Sequence, residues 1–399
     1  MKKMRRPQRI LKTWIFGVAF LGGLSVGCVS ESTENQQTPA SVDAMEDSSS
    51  GASVNTGQAE PSPIAALSPG WNELLPEGDT VCSRGGEYAF FVHNGTSNRL
   101  VIEFEGGGAC WTQGTCSVAD AIFKDSVDDD RAAYAAGFLP GVLNHENPAN
   151  PFQDWHHIFV PYCTGDVHIG NAEHIYGEGD DAFTIRHKGA VNVGAVMEWA
   201  RTHIPDPDVI FVTGCSAGAY GSIFWVPHIA QQYPEAQIYQ MGDSGCGVIT
   251  QTFMDDSFPI WEGAGILPDW IDALKPETLD IANTKLHEVY IHLAEFYGDT
   301  LFSQFTTVKD NNQVFYFEAM GGSGEEEWSQ QMLSSLGEIA TTSENFRRFI
   351  APGDTHCILP HEEFFTLEVE GVKLVDWLAD LVAGIEVPEV ICSGCTLSN

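Results

Sequence analysis

Gly214-Cys215-Ser216-Ala217-Gly218 sets one serine between two glycines, each two residues away. The apolar run Val209–Thr213 precedes it, and a stretch able to form a helix follows. A serine on a sharp strand-to-helix turn has an exposed hydroxyl, the arrangement of a nucleophile elbow. Glycines at those positions let the strand and the helix pack closely around the bend. With 40 glycines among 399 residues, the pattern alone arises by chance in about one such chain in four. The strand before it and the helix after it are what give it weight, and Gly242-Asp-Ser-Gly-Cys246 is a near look-alike.

A serine hydroxyl becomes a nucleophile only when a base takes its proton and an acid orients that base. On sheets built around such an elbow the chain order is Ser, then Asp or Glu, then His. Strand ends after Ser216 offer Asp243 and Asp299 as acids, and His356 in Pro352-Gly-Asp-Thr-His356 as base. Asp299 is the expected acid, because it follows the second apolar run after the elbow. Asp243 is expected to satisfy loop amides near the site, and Asp354 to shape its own turn. His361 lies further from the strand end, and His292 falls inside an apolar run.

An oxyanion needs backbone amides aimed at one point. Ala217 follows the nucleophile and supplies one. Gly107 and Gly108, in the triple glycine after Leu100–Glu105, supply the others, in a loop like the HGGG-type loop of esterases. A dinucleotide-binding loop is excluded there, because the third glycine of G-x-G-x-x-G is missing. No cofactor is expected. No metal is expected either: Cys392-Ser-Gly-Cys395 has no second CxxC, and Asp128-Asp-Asp130 lacks the spacing of a calcium loop. The latter reads as a solvated acidic cluster.

The elements that must position these groups read as strands alternating with helices. Strands are expected at Glu87–His93, Leu100–Glu105, Trp155–Tyr162, Val209–Thr213, Ala236–Gly242, Glu288–Phe296 and Asn345–Ala351. Helices are expected at Thr184–His203 and Gly371–Leu381, with a weaker one at Ser117–Phe123 and irregular, helical chain over 247–286. That alternation implies an α/β fold, α/β-hydrolase-like, with a mainly parallel sheet flanked by helices and active residues at the carboxyl ends of the strands.

Together these motifs resemble the pectin acetylesterase and Notum carboxylesterase family. Glu105-Gly-Gly-Gly-Ala-Cys-Trp111 with Cys116 is similar to its glycine–tryptophan–cysteine block, and Pro161–Gly170 to its tyrosine–cysteine–aspartate block. Gly214–Gly218 is similar to its nucleophile motif, Gly242-Asp-Ser-Gly245 to its DSG segment, and Phe296–Asp299 and Thr355–Cys357 to its acid and base regions. The resemblance implies a serine ester hydrolase that removes acetyl groups from a polysaccharide such as pectin, and a Cys110–Cys116 bridge. Ala109 replaces the family's tryptophan beside the cysteine, which bears on the acyl group. An aromatic pocket from Phe258, Trp261 and Trp270 would admit longer acyl esters. A surface protein that binds glycans or proteins without catalysis is the reading from another class.

The chain begins as a processing segment. Six basic residues precede an apolar stretch, Trp14–Leu24, that ends at Leu24-Ser-Val-Gly-Cys28. This reads as a lipoprotein-type leader over 1–28, with Cys28 as lipid anchor. A polar linker over 29–70 follows, then a catalytic domain over 71–399. The expected location is outside the cell membrane, as an outer-membrane or cell-surface lipoprotein or else secreted, with the membrane reached only through the lipid. The leader holds six of the 19 Lys and Arg and no Asp or Glu, so the rest has 13 against 55, a formal charge near −42. Such a balance excludes nucleic acid as partner. The expected partner is an acylated polysaccharide or other ester, and the expected state a monomer. In an exported chain some of the cysteines should pair. Cys110 with Cys116 and Cys392 with Cys395 are close enough for local bridges. Cys82, Cys163, Cys215, Cys246 and Cys357 remain, with at least one thiol free.

Overall fold

The structure is a computed structural model that describes residues 67–395, apart from 138, 276, 278 and 280–282. The expected leader with Cys28, and residues 29–66 of the expected linker, lie outside the described residues.

Nine strands form one sheet among the described residues: β1 (Gly70–Leu74), β2 (Phe90–Asn94), β3 (Arg99–Phe104), β4 (His156–Val160), β7 (Val209–Cys215), β8 (Gln237–Asp243), β9 (Leu301–Thr307), β10 (Phe346–Ala351) and β13 (Val390–Ile391). Their order is β1-β2-β4-β3-β7-β8-β9-β10-β13. The β1–β2 and β2–β4 pairs are antiparallel, and every other pair is parallel. Two small hairpins stand apart, β5 (Ala172–Tyr176) with β6 (Phe183–His187), and β11 (Glu368–Val369) with β12 (Val372–Lys373). The helices are α1 (Gln113–Cys116), α2 (Asp128–Ala136), α3 (Gly189–His203), α4 (Ala217–Gln232), α5 (Gln251–Trp261), α6 (Leu286–Phe296), α7 (Asn311–Ala319), α8 (Glu325–Thr342) and α9 (Leu374–Val382). The expected α/β-hydrolase-like class holds.

The parallel strands are covered on both faces, so they read as apolar runs rather than alternating ones. Every residue of β7 from Ile210 to Gly214 is buried, and Phe152 stacks on Phe211 at 5.0 Å. At the elbow the two chains meet with no room for side chains. A Cβ on Gly218 would stand 1.9 Å from the Phe104 carbonyl oxygen. The central sheet therefore holds the end of β3, where the glycine loop begins, directly against the start of α4.

Several expected elements differ. Thr184–His203 divides into β6 and α3. Ser117–Phe123 is not helical, and only Gln113–Cys116 just before it is. Asp130 is buried and bound to Lys124 rather than solvated. The expected strand at Glu288–Phe296 is part of α6, and the strand that occupies its place in the sheet is β9. Leu286, Val289, Tyr290, Leu293 and Ala294 are buried at helical spacing on α6. The β-branched and aromatic residues in that short run imitate a strand.

Buried ionisable groups extend under β3. His157 Nε2 lies 2.9 Å from Glu103 Oε2, and its Nδ1 is 3.1 Å from His145 Nε2. Burial pushes the Glu103 carboxyl up to about 8 and the His157 imidazole down, so the pair is neutral. His157 Nδ1–H then donates to His145 Nε2, and His145 Nδ1–H to the Gln153 carbonyl, 3.3 Å away, while Glu103 Oε2 and His157 Nε2 are close but make no hydrogen bond. The unfolded chain releases the Glu103 proton near 4.5 and the folded chain near 8. Its stabilisation is thus full below the lower value and is lost as pH rises through the higher one. In pH-dependent chemical denaturation, wild type should lose stability relative to Glu103→Gln over that interval. Parallel curves would contradict the neutral carboxyl.

Candidate active site

β7 ends in Cys215 and α4 begins at Ala217, which leaves Ser216 alone on the turn. Its φ of 56° and ψ of −120° are costly for a residue with a side chain. The turn is held by bonds at both sides of the serine: its N–H donates to the Asp243 carbonyl at 2.8 Å, and its carbonyl accepts from Ala219 N–H at 2.9 Å.

His356 stands after β10, and its Nδ1 is 2.9 Å and 3.0 Å from the two carboxylate oxygens of Asp310. Asp310 is fully buried and caps α7, accepting from the Asn312 and Gln313 amides at 3.1 Å and 2.9 Å. A carboxylate at that end of a helix is favoured by the exposed amides and the helix dipole. With Nδ1–H given to Asp310, Nε2 is the basic nitrogen, and it is buried without a hydrogen-bond partner.

The structure does not bring Asp299 to His356. Asp299 is exposed, two residues before the start of β9, and its carbonyl accepts from Gln237 at the start of β8. That is the amino edge of the sheet, opposite the elbow. The second strand after the elbow is β9, and the acidic residue three positions past its end is Asp310. Asp243 caps the base segment, its Oδ2 accepting the Ile358 and Leu359 amides at 2.8 Å and 2.9 Å. Burial chiefly raises its carboxyl to about 7, against those two amides.

The glycine loop is anchored from below. Glu105 Oε2 accepts the Tyr162 amide at 2.8 Å, and its carboxylate is 2.6 Å from Lys124 Nζ. Lys124 also binds Asp130, and its own amide donates to the Gly107 carbonyl at 2.8 Å. Burial raises the Glu105 carboxyl, and Lys124 opposes that rise. Gly108 has φ of 72°, and the Tyr316 hydroxyl stands 1.9 Å from where a Cβ would lie. Only glycine fits both demands.

Gly108, Ala109, Ser216, Ala217 and His356 all line one cavity of about 430 Å³. Its remaining wall is mostly apolar and includes Phe224, Phe253, Met254, Phe258, Trp261 and Leu286. Phe258 and Trp261 are in the wall and are also part of the buried core. Trp270 is not among the lining residues; its indole N–H donates to the Tyr297 hydroxyl.

Four disulfides form: Cys82–Cys163, Cys110–Cys116, Cys215–Cys357 and Cys392–Cys395. Both local bridges are as expected. Among the described residues Cys246 is the free thiol, and it is buried. The Cys215–Cys357 bridge joins the residue before Ser216 to the residue after His356, with Cα atoms 5.7 Å apart. Sequence reasoning missed both this link and Asp310, and Asp310 had a usable signal, the N-cap pattern Asp310-Asn-Asn-Gln313.

Comparison with known proteins places these features in context. The pectinacetylesterase family model matches residues 74–257. Pectin acetylesterase 4 of Arabidopsis thaliana is 25% identical over 170 residues, 41% of this chain and 40% of that protein. The match thus spans under half the length of the curated relative. The Wnt deacylase Notum from Drosophila superposes in two crystal forms. One has a TM-score of 0.59 at 15% identity, covering 81% of this chain and 96% of Notum. The other has 0.54 at 14%, covering 80% and 95%. These superpositions show the shared fold.

Proposed function

We propose that this chain, which belongs to the pectin acetylesterase family, is an exported serine ester hydrolase with Ser216, His356 and Asp310 as its triad. The observation that carries this reading is the single cavity that Ser216, His356 and the glycine loop all line, with Asp310 buried on the base. Ser216 Oγ attacks the ester carbonyl and passes its proton to His356 Nε2, while Asp310 stabilises the imidazolium. The Gly107, Gly108 and Ala217 amides receive the oxyanion. The imidazolium returns its proton to the leaving alcohol, and water, deprotonated by the same base, hydrolyses the acyl-enzyme.

The cavity supports acyl groups longer than acetyl. A water's share of the liquid is about 30 Å³, so about 430 Å³ exceeds what an acetyl methyl fills by an order of magnitude. Each buried CH₂ contributes about 0.8 kcal/mol, or about fourfold. Deacetylation of a polysaccharide is the second reading, favoured by the family match. A series of p-nitrophenyl esters tests both. The long-chain reading expects kcat/KM to climb about fourfold per carbon beyond acetate until the cavity is full, and a maximum at acetate would favour the second. Ser216→Ala should lose about a millionfold in kcat. Background rates from both proteins would remove catalysis altogether.

Export belongs to the same proposal. The four disulfides suit an oxidising compartment. Cys28 is the proposed lipid anchor, and incorporation of a fatty-acid analogue should vanish in Cys28→Ala. An unlabelled wild type would sink the anchor.

A further inference from the structure

Asp310 carries two lone-pair-rich oxygens, and a carboxylate free to rotate would meet the imidazole in many geometries. Two backbone amides fix Oδ1. Oδ2 is fixed by a side chain, because Gln313 Nε2 donates to it at 3.0 Å. The second Nε2 proton goes to Thr306 Oγ1 on β9 at 3.1 Å, and Oε1 accepts the Cys246 amide at 2.9 Å. Both Nε2 protons and one lone pair of Oε1 are thus engaged, in a residue that is 8% exposed and also lines the cavity. An amide so tied has one orientation, and it hands that orientation to the carboxylate. Its three partners come from α7, β9 and the segment after β8, the elements that meet beneath His356.

We infer that Gln313 is a positioning residue that sets the plane of the Asp310 carboxylate and, through it, the direction of the His356 lone pair. This rests on the ester-hydrolase reading above. The side-chain hydrogen bonds of Gln313 go to Asp310, Thr306 and Cys246 rather than to Ser216 or the proposed oxyanion amides, so its effect belongs in turnover more than in ester binding. The same amide braces the segment that follows Asp243, whose carboxylate holds the chain after the base.

The test uses the full chain, with competent sites counted by a serine-directed organophosphonate. Gln313→Leu should lower kcat per titrated site by about 10- to 100-fold and leave KM within about threefold. The low-field proton resonance of His356 Nδ1–H should also move or broaden. Gln313→Glu serves if the leucine variant does not fold, since its shape is the same and one oxygen still accepts the Cys246 amide. Its carboxyl sits beside Asp310, which itself faces His356, Asp243 and the Cys246 thiol. Protonated, it donates to Asp310 as the amide does; ionised, it repels Asp310. Its kcat should therefore fall as pH rises between about 5 and 9, a descending limb that wild type lacks. A kcat per site within about twofold of wild type in Gln313→Leu, an unmoved resonance in that variant, or a Gln313→Glu pH profile without the descending limb overturns the inference. An active Ser216→Ala would overturn the ester-hydrolase reading itself, whereas a dead Ser216→Ala beside an unimpaired Gln313→Leu rejects Gln313 alone.

Discussion

Asp310→Asn lowers kcat/KM for p-nitrophenyl esters about ten-thousandfold, while Asp299→Asn stays within about twofold of wild type. The size follows from what the carboxylate does. It accepts a hydrogen bond from His356 Nδ1–H across 2.9 Å and 3.0 Å, and a neutral amide can present an N–H there instead, which would trap the wrong imidazole tautomer. It also sits fully buried, where its charge acts on the imidazolium with little screening. Asp299 is exposed at the far edge of the sheet. Equal losses in the two variants, or a larger loss in Asp299→Asn, would reject Asp310 as the acid.

The second large effect concerns the Cys215–Cys357 bridge. It closes a span of 142 residues, and on the chain-entropy account such a link stabilises the fold by about 5 kcal/mol. It also joins the immediate neighbours of Ser216 and His356, two segments with strained backbones: φ is 56° at Ser216 and 59° at Cys357. In Cys215→Ser with Cys357→Ser, the unfolding midpoint should fall, and kcat should fall by about tenfold or more while KM changes little. Thiol reductant should reproduce the loss in wild type and cost the double variant less, since only the other three bridges remain to be reduced there. Unchanged turnover in wild type, with the bridge shown to be reduced, would leave the disulfide without a part in positioning.

Asp243 shows why neighbouring carboxylates near such a site are easily confused. It follows the elbow in chain order, ends a strand, and lies close enough to His356 to lower its own carboxyl electrostatically. Yet its oxygen is occupied by the Ile358 and Leu359 amides, so it shapes the base segment. Type and order admit Asp243, Asp299 and Asp310 alike. Hydrogen-bond partners separate them.

By itself the amino-acid sequence determined the elbow at Ser216, the glycine loop at Gly106–Gly108, His356 after the strand that ends at Ala351, and the α/β class. Each is written locally, as a backbone turn that only glycine permits, an apolar run of strand length, or a residue placed directly after one. Tertiary structure decided the rest. β9 carries Ser303, Gln304, Thr306 and Thr307 in the buried middle of the sheet. Their polarity conceals a strand that becomes affordable only when partners such as the Gln240 carbonyl, 2.8 Å from Ser303 Oγ, are in place. α6 has the opposite disguise, a strand-like composition on a helix that packs one face inward. With those two exchanged, the proposed acid moves from Asp299 to Asp310. The Cys82–Cys163 and Cys215–Cys357 bridges likewise depend on strands brought side by side across 81 and 142 residues, because a spatial neighbour so distant in the chain leaves no mark on local residue pattern.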